Sequence, residues 1–200
     1  MEKKYFFFDI DGTLTDRSTG KIVPSAREVL DRLEANGHFV AIATGRAHYK
    51  ARKFTEANGV KNMVCCGGNG CVINNELVEN IPLDKEGCLQ IIHRSEELGY
   101  GWCVALDDTK DVYMTDDKFL RQVGKRKEPT RYIIDDMLDI DSVDAIYKIY
   151  VAIPKEEEEK LTKKELIGHL RFEPEYLMFQ PDNKRGGIVK MMEYLGADIK

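Results

Sequence analysis

The spacing of apolar positions changes several times along the chain, and each change marks an element. Tyr5 to Ile10 is an apolar run that passes into acids, the pattern of a strand buried on both faces. A loop runs from Asp16 to Val23. Pro24-Ser25 then opens a helix, with Ser25 as its cap and Glu28 completing a capping box. Ala26, Val29, Leu30 and Leu33 follow at i, i+3, i+4 and i+7, one helical face, and Gly37 stops it. His38 to Ala43 is a second apolar strand ending at Thr44-Gly45-Arg46. A second helix carries Ala47, Ala51, Phe54 and Asn58 as far as Gly59, and Asn62 to Cys66 is a third short strand. This β-α-β-α-β order predicts a parallel sheet with right-handed crossovers, whose strand ends share one edge.

The pattern then changes. Gly67-Gly68-Asn69-Gly70 is a turn cluster, and Cys71-Val72-Ile73 and Leu77-Val78 flank Asn74-Asn75 as in a hairpin. Asp84 to Leu98 is amphipathic. Tyr100 to Leu106 and Asp111 to Thr115 read as paired strands, and Val143 to Ile153 as a β-branched run. Glu156 to His169 reads as a charged helix and Leu170 to Phe179 as a further strand. Residues 82–180 thus form an α+β unit inserted into an α/β core made of 1–81 and 181–200. In the return to the core, Ile188, Met191, Met192 and Leu195 resume helical spacing.

Composition narrows the class. The 200 residues are 42% apolar and 32% charged with both signs mixed, which suits a folded chain with a core. Thirty basic against 35 acidic residues, a net charge of −5, give no general attraction to nucleic acid. No apolar run approaches the roughly 18–20 residues of a membrane span, and the aromatic run Tyr5 to Phe8 is too short for a signal peptide. Cys65, Cys66, Cys71, Cys88 and Cys103 follow no C-x-x-C spacing. They read as reduced, mostly buried thiols of a cytoplasmic protein rather than as a zinc site.

The strongest chemical signal is Asp9-Ile10-Asp11-Gly12-Thr13, directly after the first strand. Asp-x-Asp-Gly-Thr matches by chance at about one start site in 100,000 from average usage. Residues two apart on a strand point the same way, so the Asp9 and Asp11 carboxylates converge at the strand end. Two such carboxylates repel unless a cation joins them or one is protonated. Hard oxygens of this kind suit Mg²⁺. One carboxylate can be a nucleophile and the other a proton carrier. Gly12 permits the tight turn that follows.

These residues resemble the haloacid dehalogenase superfamily of phosphohydrolases, in its Cof-type subgroup. Asp9-Ile10-Asp11-Gly12-Thr13 resembles the first signature and Thr44-Gly45-Arg46 the second. Asn69-Gly70 after the third strand and the large insert are similar to that subgroup, and Lys184, followed by Arg185-Gly186-Gly187-Ile188, resembles the third signature. The resemblance implies a Rossmann-like three-layer core with a parallel sheet, incomplete at its C-terminus, plus an inserted α+β cap that closes over the site and selects the substrate. It implies that Asp9 attacks phosphorus and forms an aspartyl-phosphate, while Asp11 protonates the leaving alcohol and then activates water. Mg²⁺ would be held by the Asp9 carboxylate and the Asp11 carbonyl. Thr44 and the Gly45 N–H would hold phosphoryl oxygens, Lys184 would neutralise charge, and Arg46 and Asn69 would lie on the substrate side. The implied partner is a small phosphorylated metabolite such as a sugar phosphate, with no nucleic acid and no membrane. The implied activity is that of a phosphoric monoester hydrolase; a phosphoryl-binding protein without turnover is the alternative.

The fourth signature of the family, Gly-Asp-x-x-Asn-Asp, is expected on a strand beyond Lys184. The acids there are Glu193 and Asp198, and Gly196 to Lys200 reads as the lead-in to that strand. The expectation is therefore a Mg²⁺ site short of a carboxylate in this 200-residue form. Among the remaining candidates, Asp107-Asp108, Asp116-Asp117 and Asp135-Asp136 read as loop and helix-start residues. Glu156 to Glu159 reads as a solvated helix start, Lys125-Arg126-Lys127 as a solvated loop, and His48 either as a site or as a surface helix residue.

Overall fold

The computed structural model describes residues 2–126, 128, 130–162 and 164–198. In chain order its elements are β1 (Tyr5–Phe8), α1 (Pro24–Ala35), β2 (Phe39–Ala43), α2 (His48–Ala57), β3 (Met63–Cys65), β4 (Gly70–Ile73) and β5 (Glu76–Asn80). Then come α3 (Lys85–Glu97), β6 (Trp102–Ala105), β7 (Asp111–Met114), α4 (Lys118–Val123), β8 (Arg131–Ile134), β9 (Lys148–Val151), β10 (His169–Glu173), β11 (Tyr176–Phe179) and α5 (Lys184–Tyr194). The chain divides into two compact units, Met1–Asn80 with Asp182–Lys200, and Ile81–Pro181. Among the described residues, no helix is long and apolar enough to cross a membrane.

The first unit is a five-stranded sheet in the order β1-β2-β3-β4-β5. β1, β2 and β3 run parallel, as the alternating pattern predicts, and β4 and β5 add an antiparallel hairpin. Asn74 and Asn75 both take positive φ, +52° and +67°, the backbone of a tight hairpin turn that matches strand twist. Leu30 of α1 and Ala51 of α2 pack with Ile42, Met63 and Cys65 on one face. Met191 of α5 packs with Ala41, Ala43, Val64 and Cys71 on the other. The core is thus a three-layer, Rossmann-like α/β sandwich around a mixed sheet.

Two local expectations fail in this unit for clear reasons. All four residues of β1 are only half-buried, because among the described strands β1 has a single neighbour and lies at the sheet edge. No capping box forms at α1: Val23 takes the cap position without a side-chain bond, and Pro24 is the first helical residue. Proline suits that position because its fixed φ is already helical and it has no N–H to leave unpaired.

Helix α5 meets the loop after β3 backbone to backbone. The Asn183 N–H donates to the Gly67 carbonyl at 2.7 Å, and the Asn183 side chain caps the helix by accepting from the Gly186 N–H at 2.9 Å. A Cβ on Gly68, whose φ is +117°, would collide with the Asn183 carbonyl. A Cβ on Gly187 would sit 2.5 Å from Val64 Cγ1 and 2.6 Å from the Gly68 oxygen. Side chains at these two positions would hold the helix away from the sheet.

The second unit is a six-stranded sheet in the order β10-β11-β9-β6-β7-β8. It is antiparallel except for the parallel pair β7–β8. Cys88, Ile91 and Ile92 of α3 cover one face against Trp102, Val104, Ile149 and Val151. Phe119 of α4 packs on the other with Cys103, Tyr150 and Met178. The expected helix over Glu156 to His169 is instead two short 3₁₀ segments, Lys155–Lys160 and Lys164–Leu166, and His169 already belongs to β10. Four consecutive glutamates repel along a helix, and Glu158 is drawn away to accept from Arg171 Nε at 2.7 Å. The single strand expected over Leu170 to Phe179 is the hairpin β10–β11, turning at Pro174-Glu175.

Replacing Gly187 by alanine forces a methyl into the α5–β3 contact. We expect Gly187→Ala to destabilise the protein by about 1–3 kcal/mol, the usual cost of overpacking, measured by urea unfolding.

Candidate active site

The edge where β1, β2 and β3 end carries the candidate residues. Asp9 directly follows β1 with an extended backbone (φ −75°, ψ 155°). Asp11 is extended too, and Gly12 turns the chain with φ +76°. Glycine suits that position because side chains rarely adopt a positive φ, and the Arg17 guanidinium lies over its bare side. Thr15 then ties the turn shut, its N–H donating to the Ile10 carbonyl at 3.1 Å and its hydroxyl to the same oxygen at 2.9 Å.

Lys184, the first residue of α5, reaches Asp9 from the far end of the chain: Nζ lies 3.2 Å from Asp9 Oδ1. Asp11 is gripped by Arg46. Arg46 Nε donates to Oδ2 at 2.9 Å, and Nη2 donates to Oδ1. This two-pronged bond, aided by the charges of Arg46, Lys50 and Lys184, holds the Asp11 carboxyl below the usual carboxylate range. Arg46 is therefore engaged with Asp11 in a partly exposed ion pair.

The loop after β2 is held from below. Thr44 is buried and its N–H donates to the Val64 carbonyl at 2.9 Å. Its hydroxyl accepts from the Arg46 N–H at 3.2 Å. Gly45 occupies the bend between them. The Arg46 carbonyl accepts from the Cys66 N–H at 2.8 Å, and the Thr44 carbonyl from the Gly67 N–H at 3.3 Å. Asn69 closes the turn after β3, its N–H donating to the Cys66 carbonyl at 3.4 Å. The structure thus brings Asp9 to Lys184 and Asp11 to Arg46, and it binds the Thr44-Gly45-Arg46 loop to the loop that carries α5.

Arg17 and Lys50 were not legible as site residues. Arg17 lies in an unpatterned loop and folds back over Gly12, while Lys50 is in the first turn of α2. With Arg46 and Lys184 they place four cations around two carboxylates, an arrangement that attracts an anion.

Hard oxygen donors suit Mg²⁺, which is commonly held by one or two carboxylates with waters and phosphate oxygens completing its shell. The Asp9 carboxylate and the Asp11 carbonyl are oxygen donors of that chemical kind. Among the described residues, no group of three or more His, Cys, Asp or Glu side chains gathers at one point.

The acid pairs set aside from sequence have local jobs. Asp107 accepts from the Thr109 hydroxyl at 2.7 Å, Asp116 from the Lys118 N–H at 2.7 Å, and Asp135 from the Met137 N–H at 3.1 Å. Arg126 is no solvated loop residue: its guanidinium lies 3.7 Å from the Tyr150 ring centre. Lys127 lies outside the described residues. His48 is buried and lines a recess of about 420 Å³ with Arg52, Thr55 and Lys61.

Comparison with known proteins places this arrangement. A match to the YkrA protein of Bacillus subtilis is 28% identical over 116 residues, 58% of this chain and 45% of that protein, so it spans less than half of its relative. A hypothetical protein from Geobacillus kaustophilus shares the fold with a TM-score of 0.76 at 23% identity, over 99% of this chain and 77% of the other. The sugar phosphatase BT4131, of haloacid dehalogenase subclass IIB, gives a TM-score of 0.70 at 20% identity, over 98% and 77%. The profile of the haloacid dehalogenase-like hydrolases matches residues 6–198, from β1 through the second unit to the end of α5. With both the strand-end acids and the returning lysine inside that continuous match, the chain belongs to the haloacid dehalogenase-like hydrolase family.

Proposed function

We propose that the protein is a Mg²⁺-dependent phosphatase of small phosphorylated metabolites, of the Cof-type subgroup, working through an aspartyl-phosphate. The observation that carries this reading is the Asp9–Lys184 pair at 3.2 Å, which joins residues from opposite ends of the sequence at one strand end. Sugar phosphates are the proposed substrate class, in keeping with the sugar phosphatase among the fold relatives. Residues 82–180 are the proposed substrate-selecting cap. The five reduced thiols suit a cytoplasmic setting.

In this mechanism Asp9 attacks phosphorus as the bond to the leaving alcohol breaks. Thr44 and the Gly45 N–H hold the phosphoryl oxygens, and Lys184 offsets charge on Asp9 and the phosphoryl group. Asp11 gives a proton to the leaving oxygen. It then takes one from the water that opens the aspartyl-phosphate, which releases phosphate and restores Asp9. The Asp9 carboxylate and the Asp11 carbonyl would hold Mg²⁺, which would supply further neutralisation of the phosphoryl charge. Arg46 holds Asp11 ionised in the resting structure, so the proton that Asp11 gives to the leaving oxygen is one taken up from solvent when that bond is released. Catalysis of this kind is positioning plus electrostatic stabilisation.

With Mg²⁺ and a panel of phosphate esters, the chain should release phosphate. Asp9→Asn should lower turnover about a thousandfold or more, and Lys184→Ala about 10²–10³-fold. Beryllium fluoride with Mg²⁺ should bind the wild type and not Asp9→Asn, read by calorimetry. Retention of turnover in Asp9→Asn overturns the mechanism, and binding without turnover would identify a phosphoryl-binding protein instead.

The Arg46 grip makes a separate prediction. A hydrogen bond to the ionised carboxylate favours that form, so removing it raises the pKa. Arg46→Gln should move the Asp11 titration to higher pH, followed by NMR of its carboxyl carbon.

A further inference from the structure

Cys65 and Cys66 are neighbours in sequence, and in a regular strand their side chains would leave opposite faces. Here they converge. Cys66 takes φ +52°, a region that L side chains rarely adopt, and this turns its side chain back toward Cys65. The two sulfurs lie 4.0 Å apart. Both face the bare side of Gly70: a Cβ there would collide with Cys65 Sγ and stand 3.3 Å from Cys66 Sγ. Cys66 is half-buried and Cys65 is buried beside it. Burial pushes Cys71 up to about 11 and Cys88 and Cys103 up to about 12, which keeps them protonated and inert at neutral pH. A strained residue in a functional loop is a reason to look for a role.

We propose that Cys65 and Cys66 form a reversible oxidation site whose oxidant is a hydroperoxide. The Cys66 thiolate attacks a peroxide oxygen. The O–O bond breaks, water or an alcohol leaves, and Cys66 becomes a sulfenic acid. The Cys65 thiolate then attacks that sulfur, the S–O bond breaks as the S–S bond forms, and the hydroxide leaves as water after taking a proton. The two thiols lose two electrons and two protons, and the peroxide is reduced. Adjacent Cα atoms stand about 3.8 Å apart, closer than the usual disulfide window of about 4.4–6.8 Å. The ring is therefore strained and easily reopened by a cellular thiol.

Closing this ring bears on the site. The Cys66 N–H donates to the Arg46 carbonyl at 2.8 Å, the Gly67 N–H donates to the Thr44 carbonyl, and the Gly67 carbonyl accepts from the Asn183 N–H. Drawing the sulfurs together from 4.0 Å twists the peptide that positions the Arg46 loop and the start of α5. The predicted loss of turnover rests on the phosphatase reading, whereas the oxidation itself does not.

The test treats the whole chain with hydrogen peroxide, blocks remaining thiols and weighs the protein. We expect loss of the mass of two hydrogens, reversed by dithiothreitol, retained in Cys71→Ser and absent in Cys66→Ser and Cys65→Ala. Phosphatase turnover should fall about tenfold or more on oxidation of the wild type, as when a positioned group is displaced. It should stay unchanged in Cys65→Ala. Oxidation of Cys66 alone to sulfinic acid, or no mass change, overturns the proposal. A disulfide that leaves turnover unaltered overturns the coupling to the site. A disulfide in a chain whose reduced form has no turnover supports the oxidation site while refuting the phosphatase reading.

Discussion

The candidate site depends on how closely helix α5 approaches the loop after β3. Two glycines permit that approach: Gly68 lies under the Asn183 carbonyl, and Gly187 lies between Val64 and the Gly68 oxygen. The helix arrives at backbone distance, its cap residue bonds to the loop, and its first side chain, Lys184, falls beside Asp9. Packing density makes this a strict condition, since a close-packed interface transmits the displacement of one added methyl. The chemistry at the strand edge is thus set by small residues that carry none themselves.

Around this contact the electrostatics balance in pairs. Asp9 faces Lys184 and Asp11 faces Arg46, while Arg17 and Lys50 add positive charge nearby. Two carboxylates at one strand end repel, and these cations offset that repulsion. The Arg46 bond does more than neutralise. It fixes the orientation of the Asp11 carboxyl and its ionised state, and the Arg46 carbonyl is in turn tied to Cys66.

Much of this was legible in the sequence, and the exceptions have causes. The first three strands and their helices follow from apolar spacing, and the hairpin follows from Asn74-Asn75, whose positive φ values the turn requires. The strand-end acids were legible because their spacing has a direct geometric meaning. The partnership of Arg46 with Asp11 was not, because it joins two loops that only the folded sheet brings together. The segment Glu156 to His169 misled for a related reason. Its local propensity is helical, but Arg171, on the strand that follows, claims Glu158. The edge position of β1 was likewise invisible, since an apolar run does not say how many neighbours a strand has.

The ion pair between Asp9 and Lys184 also sets an order of events during synthesis. β1 leaves the ribosome early, whereas Lys184 follows the entire inserted unit, so Asp9 waits without its cation while about half the chain is made. Closing so long a loop costs only slightly more entropy than closing a shorter one, but it delays the contact. A nascent chain therefore carries the acidic motif in an unassembled state, and the site comes into being only once the inserted unit has been translated and the chain has returned to the sheet.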